Sequence, residues 1–269
     1  MSDDHRAQES RNKPQRIAES SEKNMLYVTA VDRAILVLEA FSQRPGELSL
    51  TELAQMSGQG KSATQRFVFT WEKLGYIARN PASRRLRLTP KALELGHSYL
   101  RGDPLIAQVA PHLAMLRDQF GLAVNLSMRE GDDMIYLLRL PSHQLTLAEM
   151  LPGRRLPAWS NASGRMLLTQ CDVDELRAIF DRQPPLAFTP RTTVDLDTLV
   201  AEIAQARLDG YYVTQHQVNM NQIAVAILAS LPSGACVAIG VATTFDDYSV
   251  ERVTSTIVPA LFRTAAALR

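Results

Sequence analysis

The chain is poor in cysteine: Cys171 and Cys236 are its two thiols in 269 residues, which excludes a disulfide framework or a Cys-x-x-Cys metal knot. It also lacks long apolar runs. No stretch approaches the roughly 18 consecutive apolar residues of a membrane helix, and residues 1–24 lack the apolar centre of a secretory leader. A soluble protein of the reducing cytoplasm, with no membrane partner, is the expectation. Histidines are few and scattered, and His97, His112, His143 and His216 show no metal-ligand spacing. There is no GxSxG and no glycine-rich phosphate loop, and PSGAC at 232–236 reads as a hairpin turn with a strand cysteine. No catalytic residue, metal or cofactor is therefore expected.

What is present is an ordinary hydrophobic content of 46% and a length that suits two domains. The net charge of +1 hides an asymmetry. Residues 26–90 carry nine Lys and Arg against five Asp and Glu, and 61–87 alone carry seven against one, whereas 91–269 are acidic by three. An anionic partner would meet the 61–87 stretch. Residues 1–25, polar and charged, are expected to form a loose tail.

Thr29 with Asp32 has the capping-box pattern, and Val31, Ile35, Leu38 and Phe41 recur at helical spacing, predicting a helix over 29–41. Ser49 with Glu52 repeats the pattern for a shorter helix bearing Leu50, Leu53, Ala54 and Met56, which Gly58 can close in the left-handed conformation. After the GQGK turn a third helix is predicted over 62–74. Two short helices joined by a tight glycine-containing turn are a helix-turn-helix.

In the third helix Thr64, Phe67, Val68 and Trp71 share one side, with Leu74 close by. Ser62, Arg66, Phe69 and Lys73 point the opposite way, flanked by Ala63, Gln65 and Thr70, with Lys61 just ahead. This outward set has the donors and the apolar ring that suit base edges and phosphates in a major groove. Two strands follow around Asn80-Pro81-Ala82-Ser83, with Leu86 and Leu88 on one face of the second and Arg85 and Arg87 on the other. Such a wing would place Arg84, Arg85 and Arg87 near the phosphate backbone or an adjacent minor groove. A basic helix face alone is usually a solvated surface; helix-turn-helix, wing and concentrated charge together favour double-stranded DNA as partner.

The expected division is a tail at 1–25, a winged helix-turn-helix at 26–88, a linker helix at 89–103 and a second domain at 104–269. Thr89 and Pro90 start the linker, and Asp103-Pro104 starts the next helix. LAVNLSM and MIYLLRL flank Gly131-Asp132-Asp133, and QIAVAILAS and CVAIGVATT flank residues 231–235, which makes two hairpins. Helices are expected at 161–169, 173–181, 194–208 and 248–268, the last interrupted at Pro259. Hairpins without intervening helices give an antiparallel sheet and an α+β class.

The run leading into the 161–169 helix, with small side chains and free backbone N–H groups, would seat a carboxylate through Ser160, Asn161, Ala162, Ser163 and Gly164. Ser160 and Asn161 read equally well as helix caps. Asn125, Ser127, Gln222, Gly240 and Ala242 are candidates by position, and Arg154 and Arg155 read as surface residues. The competing reading is a small-molecule-binding enzyme with a basic winged-helix appendage that does not regulate transcription.

The run LSLTELAQMSGQGKSATQRFVFTWEKLGYIARNPASRRLRLTPKALELG at 48–96 resembles the winged helix-turn-helix of the IclR family of bacterial transcriptional regulators. The resemblance continues through GLAVNLSMREGDDMIYLLRL (121–140), GRRLPAWSNASGRMLL (153–168), TPRT (189–192) and QARLDGYYV (205–213), and so covers residues 26–269. TPRT is also similar to the subgroup that regulates aromatic-acid catabolism. The chain departs from the family pattern at Gln59-Gly60, where Leu-Pro is usual, and in TQHQVNMNQ, where Gln215 and Gln217 stand in place of carboxylates beside the ligand pocket. The resemblance implies a curved, GAF-like sheet holding a small organic-acid effector, aromatic acids included, with the 158–164 segment and Gln215 among its surroundings. It further implies a homodimer or homotetramer on a palindromic operator, repressing or activating, with RNA polymerase as a further partner.

Overall fold

The computed structural model describes residues 26–142 and 151–268; the expected tail over 1–25 and His143 lie outside them. The chain divides into two compact units, the second beginning at Leu100, a break that falls inside the stretch assigned as linker.

In the first unit α1 spans Thr29–Gln43, α2 Leu50–Ser57 and α3 Lys61–Lys73. The capping box expected at Thr29 and Asp32 is not formed. Thr29 is already inside the helix, and the amides of Val31 and Asp32 donate to the Val28 carbonyl at 2.9 and 3.2 Å. The second capping box is present: the Ser49 hydroxyl accepts from the Glu52 amide, and the Glu52 carboxylate accepts from the Ser49 amide at 2.6 Å. Gly58, at φ 66°, closes α2 in the left-handed region and donates to the carbonyls of Ala54 and Gln55.

Strands β1 (Ile77–Arg79) and β2 (Leu86–Leu88) pair antiparallel as the wing. Leu48 adds a bridge to Leu86, N–H to O at 2.8 Å and back at 2.7 Å. Val37, Leu48, Leu53, Val68, Ile77 and Leu86 are buried together, and the Trp71 indole donates to the Ala34 carbonyl at 3.0 Å, tying α3 to α1.

Glu52 does more than cap. Its carboxylate also accepts from Arg44 at 2.6 Å and Arg85 at 2.8 Å. The Ser49 amide first, and then Arg44, hold it down to about 2 from an ordinary 4.5. A depressed carboxylate stabilises the fold fully above its unfolded value and loses that contribution as it protonates. Acid titration should therefore weaken this unit between pH 4.5 and about 2. Glu52→Gln should flatten that dependence in circular-dichroism melts, and an unchanged acid profile would show that Glu52 does not carry it.

Helix α4, Ala92–Gly102, crosses the break between the units and buries no residue. The Thr89 hydroxyl accepts from the Lys91 amide, as a cap does, and donates to the Gly75 carbonyl; the regular helix starts two residues later than expected because the amides of Ala92, Leu93 and Glu94 first bond three residues back.

The second unit is built on one curled six-stranded antiparallel sheet. Its strands are β3 (Ala123–Glu130), β4 (Asp133–Leu140), β5 (Arg155–Pro157), β6 (Tyr211–Gln215), β7 (Gln222–Ser230) and β8 (Cys236–Thr244), in the spatial order β5-β4-β3-β8-β7-β6. Alternation sorts its side chains. One face, with Val124, Leu126, Ile223, Val225, Ile239 and Val241, packs on α5 (Pro104–Phe120) and α10 (Val258–Ala266). The other face carries α6 (Ala162–Leu168), α7 (Val173–Arg182) and α8 (Leu196–Asp209), where Met134 and Ala238 of the sheet are buried with Trp159, with Leu176 and Ile179 of α7 and with Leu199 of α8. Asp103 caps α5 by accepting from the Leu105 amide at 2.9 Å. The interruption expected at Pro259 is a π turn, Val253–Ile257, between α9 (Val250–Arg252) and α10. Proline at the second position of α10 has no N–H to give to the preceding turn.

Candidate nucleic-acid interface and ligand pocket

On α3 the sequence sorting holds in its essentials. Thr64 and Val68 are fully buried, whereas Lys61, Ser62, Gln65, Arg66, Phe69, Thr70 and Lys73 are exposed and Ala63 is half-buried. Phe69 is 59% exposed, a large apolar ring left in solvent with the Lys73 ammonium 5.5 Å from its centroid. Leu74, expected near the inward side, is 49% exposed at the C-cap of α3. The cap of α3 is Gly60, which offers no side chain to the first-turn amides. That turn, with Lys61 and Ser62, therefore presents unsatisfied donors and a cation to any nearby anion.

The wing departs from expectation at one arginine. Arg85 turns back into its own domain, donating through Nε and Nη2 to the Glu47 carbonyl and through Nη2 to Glu52. Arg84, at φ 61° in the turn, and Arg87 on β2 are exposed. The cationic rim of the wing thus consists of Arg84 and Arg87. Asn80 builds the turn itself, its side-chain carbonyl accepting from the amides of Ala82 and Ser83.

In the second unit a pocket opens on the α6 side of the sheet, with about 580 Å³ of empty space including its mouth. Of the expected residues it is lined by Asn125, Asn161, Ala162, Ser163, Gln222, Gly240 and Ala242. Four others are elsewhere. Gln215 is exposed at the end of β6, outside the lining. Ser127 is buried beyond a β-bulge that follows Leu126, and Ser160 donates its hydroxyl to the Pro157 carbonyl at 2.7 Å. Gly164 lies against the Ala158 backbone.

Asn161 proves to be both cap and wall: its side-chain carbonyl accepts from the Gly164 amide at 3.0 Å while the residue lines the pocket. Gly240 has a steric reason. A Cβ there would come 2.6 Å from Ser163 Oγ, so glycine lets α6 sit directly on β8.

Sequence reasoning missed two arginines. Arg154, read as a surface residue, lines the pocket, and so does Arg139. Arg139 Nε donates to Asn125 Oδ1 at 3.3 Å, and its guanidinium stacks 4.3 Å from the Tyr136 ring centroid. The alternation of β4 could have placed Arg139 on the same face as its strand partner Asn125. Arg155 instead pairs with Asp133 and Glu130.

Gln217 lines the pocket, but its amide is consumed by the scaffold. It accepts from Arg165 Nη2 and the Thr193 amide, both at 2.9 Å, and donates to the Arg191 carbonyl at 3.0 Å. The TPRT element clamps the same loop: Thr189 donates to the His216 carbonyl and Thr192 to the Gln217 carbonyl at 2.6 Å.

Beneath the loop Arg165, fully buried, donates to the Trp159 carbonyl, to Glu202 and to the Tyr212 hydroxyl. Burial pushes the Tyr212 phenol up to about 12 and the Cys171 thiol up to about 11, so neither ionises near neutrality. Among the described residues no His, Cys, Asp and Glu group has the arrangement of a metal site.

A winged helix-turn-helix with an exposed cationic face, joined to a separate domain that holds a small polar pocket, defines a DNA-binding regulator of transcription. The chain matches the IclR helix-turn-helix domain over residues 30–81 and the C-terminal domain of bacterial IclR transcriptional regulators over residues 97–269. It belongs to the IclR family, and it is a transcriptional regulator, not an enzyme.

Among its relatives the Pca regulon regulatory protein of Pseudomonas putida is 32% identical over 202 residues, covering 75% of this chain and 69% of that protein. The IclR transcriptional regulator of Alicyclobacillus acidocaldarius is 25% identical, with a TM-score of 0.76 over 90% of this chain and 98% of its own. An IclR homologue from Microbacterium hydrocarbonoxydans, solved with 4-hydroxybenzoate, shares the fold at 21% identity and a TM-score of 0.71, over 89% and 97% of the two chains.

Proposed function

We propose that the exposed face of α3 lies in the major groove of a palindromic operator bound by a dimer or tetramer, and that a small organic acid in the second domain sets operator occupancy. The observation that supports the DNA contact is that Ser62, Gln65, Arg66, Phe69 and Lys73 have no duty in their own core. Arg66 and Gln65 can form bidentate hydrogen bonds to guanine and adenine edges, and Phe69 can meet a thymine methyl group. Arg84 and Arg87 of the wing serve the phosphates. Arg139 and Arg154 support an anionic ligand in the pocket. Such a ligand switches occupancy only if it binds the DNA-competent and incompetent states unequally, typically by about 1–3 kcal/mol. Where occupancy activates transcription, RNA polymerase is the further partner.

Fluorescence anisotropy with the protein's own upstream chromosomal region tests the DNA reading. Arg66→Ala should cost about 1–3 kcal/mol and relax preference at one base position. Arg87→Ala should weaken all sequences alike and lower the salt slope by about 1. Unaltered affinity and slope in both variants would remove α3 and the wing from the interface.

A further inference from the structure

We propose that residues 218–221 form a flap over the second-domain pocket and that the His216 imidazole is its latch, a positioning residue that sets how freely the pocket opens. The inference rests on the reading of this cavity as a ligand site and not on the chemistry of the ligand. The flap lies in the connection between β6 and β7, where Gln217, Val218 and Asn219 line the pocket. None of residues 216–221 is buried. A wall segment held by polar bonds instead of packed side chains belongs to the low-stability end of a fold.

The bonds are unevenly placed. The near end is a fixed post: Thr189 and Thr192 donate to the His216 and Gln217 carbonyls, and the Gln217 side chain accepts from Arg165 and the Thr193 amide. From that post the His216 ring reaches across the connection, its Nδ1 accepting from the Asn221 amide at 3.2 Å. The ring is itself set by stacking on Phe245, with centroids 4.4 Å apart and planes 11° apart. The far end is met by the turn after β8, where the Phe245 amide donates to the Asn221 carbonyl at 3.1 Å and Asn221 Nδ2 donates to Asp246 at 2.6 Å. One side chain thus closes the connection twice over, holding Asn221 from the post and lying on the segment that receives it.

His216 and Asn221 also share the left-handed backbone region, at φ 55° and 64°. Non-glycine residues seldom adopt it, and histidine and asparagine are among those that do so most readily. With such residues at both ends of a short connection, small changes in φ and ψ swing what lies between them, as hinges at element ends do. Val218, Asn219 and Met220 lie between, and Met220 is 53% exposed. Release of the Asn221 amide therefore moves the pocket wall and not the sheet, since β7 stays paired with β8 from Gln222 to Ser230.

Alkylation kinetics test this without any ligand. The full-length protein is given a reporter thiol on the pocket wall, Ala242→Cys, with Cys236→Ser removing the more exposed native thiol; Cys171, 1% exposed, remains as the control for unfolding. His216→Gly deletes ring and acceptor at a backbone angle that glycine adopts freely. It should speed iodoacetamide labelling at position 242 on the order of tenfold. His216→Asn keeps an acceptor oxygen near the place of Nδ1 and tolerates the same φ, so it should return most of the protection. Labelling of Cys171 should not change. Equal rates at position 242 with and without the ring, labelling in the parent as fast as a free thiol, or Cys171 speeding up alongside would each overturn the latch. Should the glycine variant fail to fold, Phe245→Leu, which removes the stacking, decides by the same rates. Failure of benzoate and succinate alike to bind in calorimetric titration would overturn the ligand-site reading alone, since the flap is measured in the unliganded protein.

Discussion

Gly164→Ala is expected to destabilise the second domain by about 3 kcal/mol or more, at or beyond the upper end of ordinary overpacking. A Cβ at position 164 would lie 2.0 Å from the Ala158 carbonyl oxygen and 2.7 Å from its Cα and carbonyl carbon. Backbone cannot rotate out of the way as a side chain can. The Ala158 turn is itself pinned, fully buried, with its amide donating to the Asp132 carbonyl at 3.0 Å. Every residue of α6 is buried as well, so neither partner has room to retreat.

Since domains are stable by only about 5–15 kcal/mol, such a loss should appear as a large fall in the denaturation midpoint. Gly96→Ala is the control. It sits inside α4 with nothing within 4 Å of the added methyl, and should be neutral or stabilise by up to about 1 kcal/mol. A Gly164→Ala protein that melts like the parent would show that α6 does not press on the 158–160 turn.

Replacing Arg165 should rank with this. Its side chain is wholly buried and serves four partners on four other segments: the Trp159 carbonyl at 2.7 Å, Glu202 and Tyr212 at 2.6 Å, and Gln217 at 2.9 Å. Removing one partner of a buried pair typically costs about 3–5 kcal/mol, because the other charge is left stranded. Glu202 keeps 34% exposure and can recover some hydration, which places Arg165→Met near the lower end. Glu202→Leu in the Arg165→Met background should then restore part of the loss, since no buried charge remains. A double-mutant cycle by urea denaturation measures the coupling, and purely additive changes would show that the pair does not act as a unit.

The pocket should respond to the same variant. Gln217 keeps the Thr193 amide but loses Arg165, so the loop clamped by Thr189 and Thr192 is held by fewer bonds. Weaker ligand binding is expected beyond what the loss of folded protein explains.

The residues of the DNA-facing unit were readable where their role depends on near neighbours. Ser49, Glu52 and Gly58 act within one helical turn, and the inward face of α3 follows from periodicity alone. Both long hairpins of the second unit were legible for the same reason, each turn lying between two strands of alternating or apolar character. The three-residue β5 is too short to show alternation and exists because β4 pairs with it. Thr29 carried a capping pattern that the helix did not use, since the chain was already helical one residue earlier.

The arginines divide the two kinds of knowledge most clearly. Sequence by itself determined the class of the protein, its two-domain order and the outward set on α3, because caps, turns and amphipathic faces are decided by residues a few positions apart. Only the tertiary structure decided that Arg85 ties back to Glu52, 33 residues away, that Arg165 is buried on Glu202, 37 residues away, and that Arg154 faces a pocket. An arginine carries the same charge in all three settings, and its role is set by which carboxylate or cavity folding brings within reach.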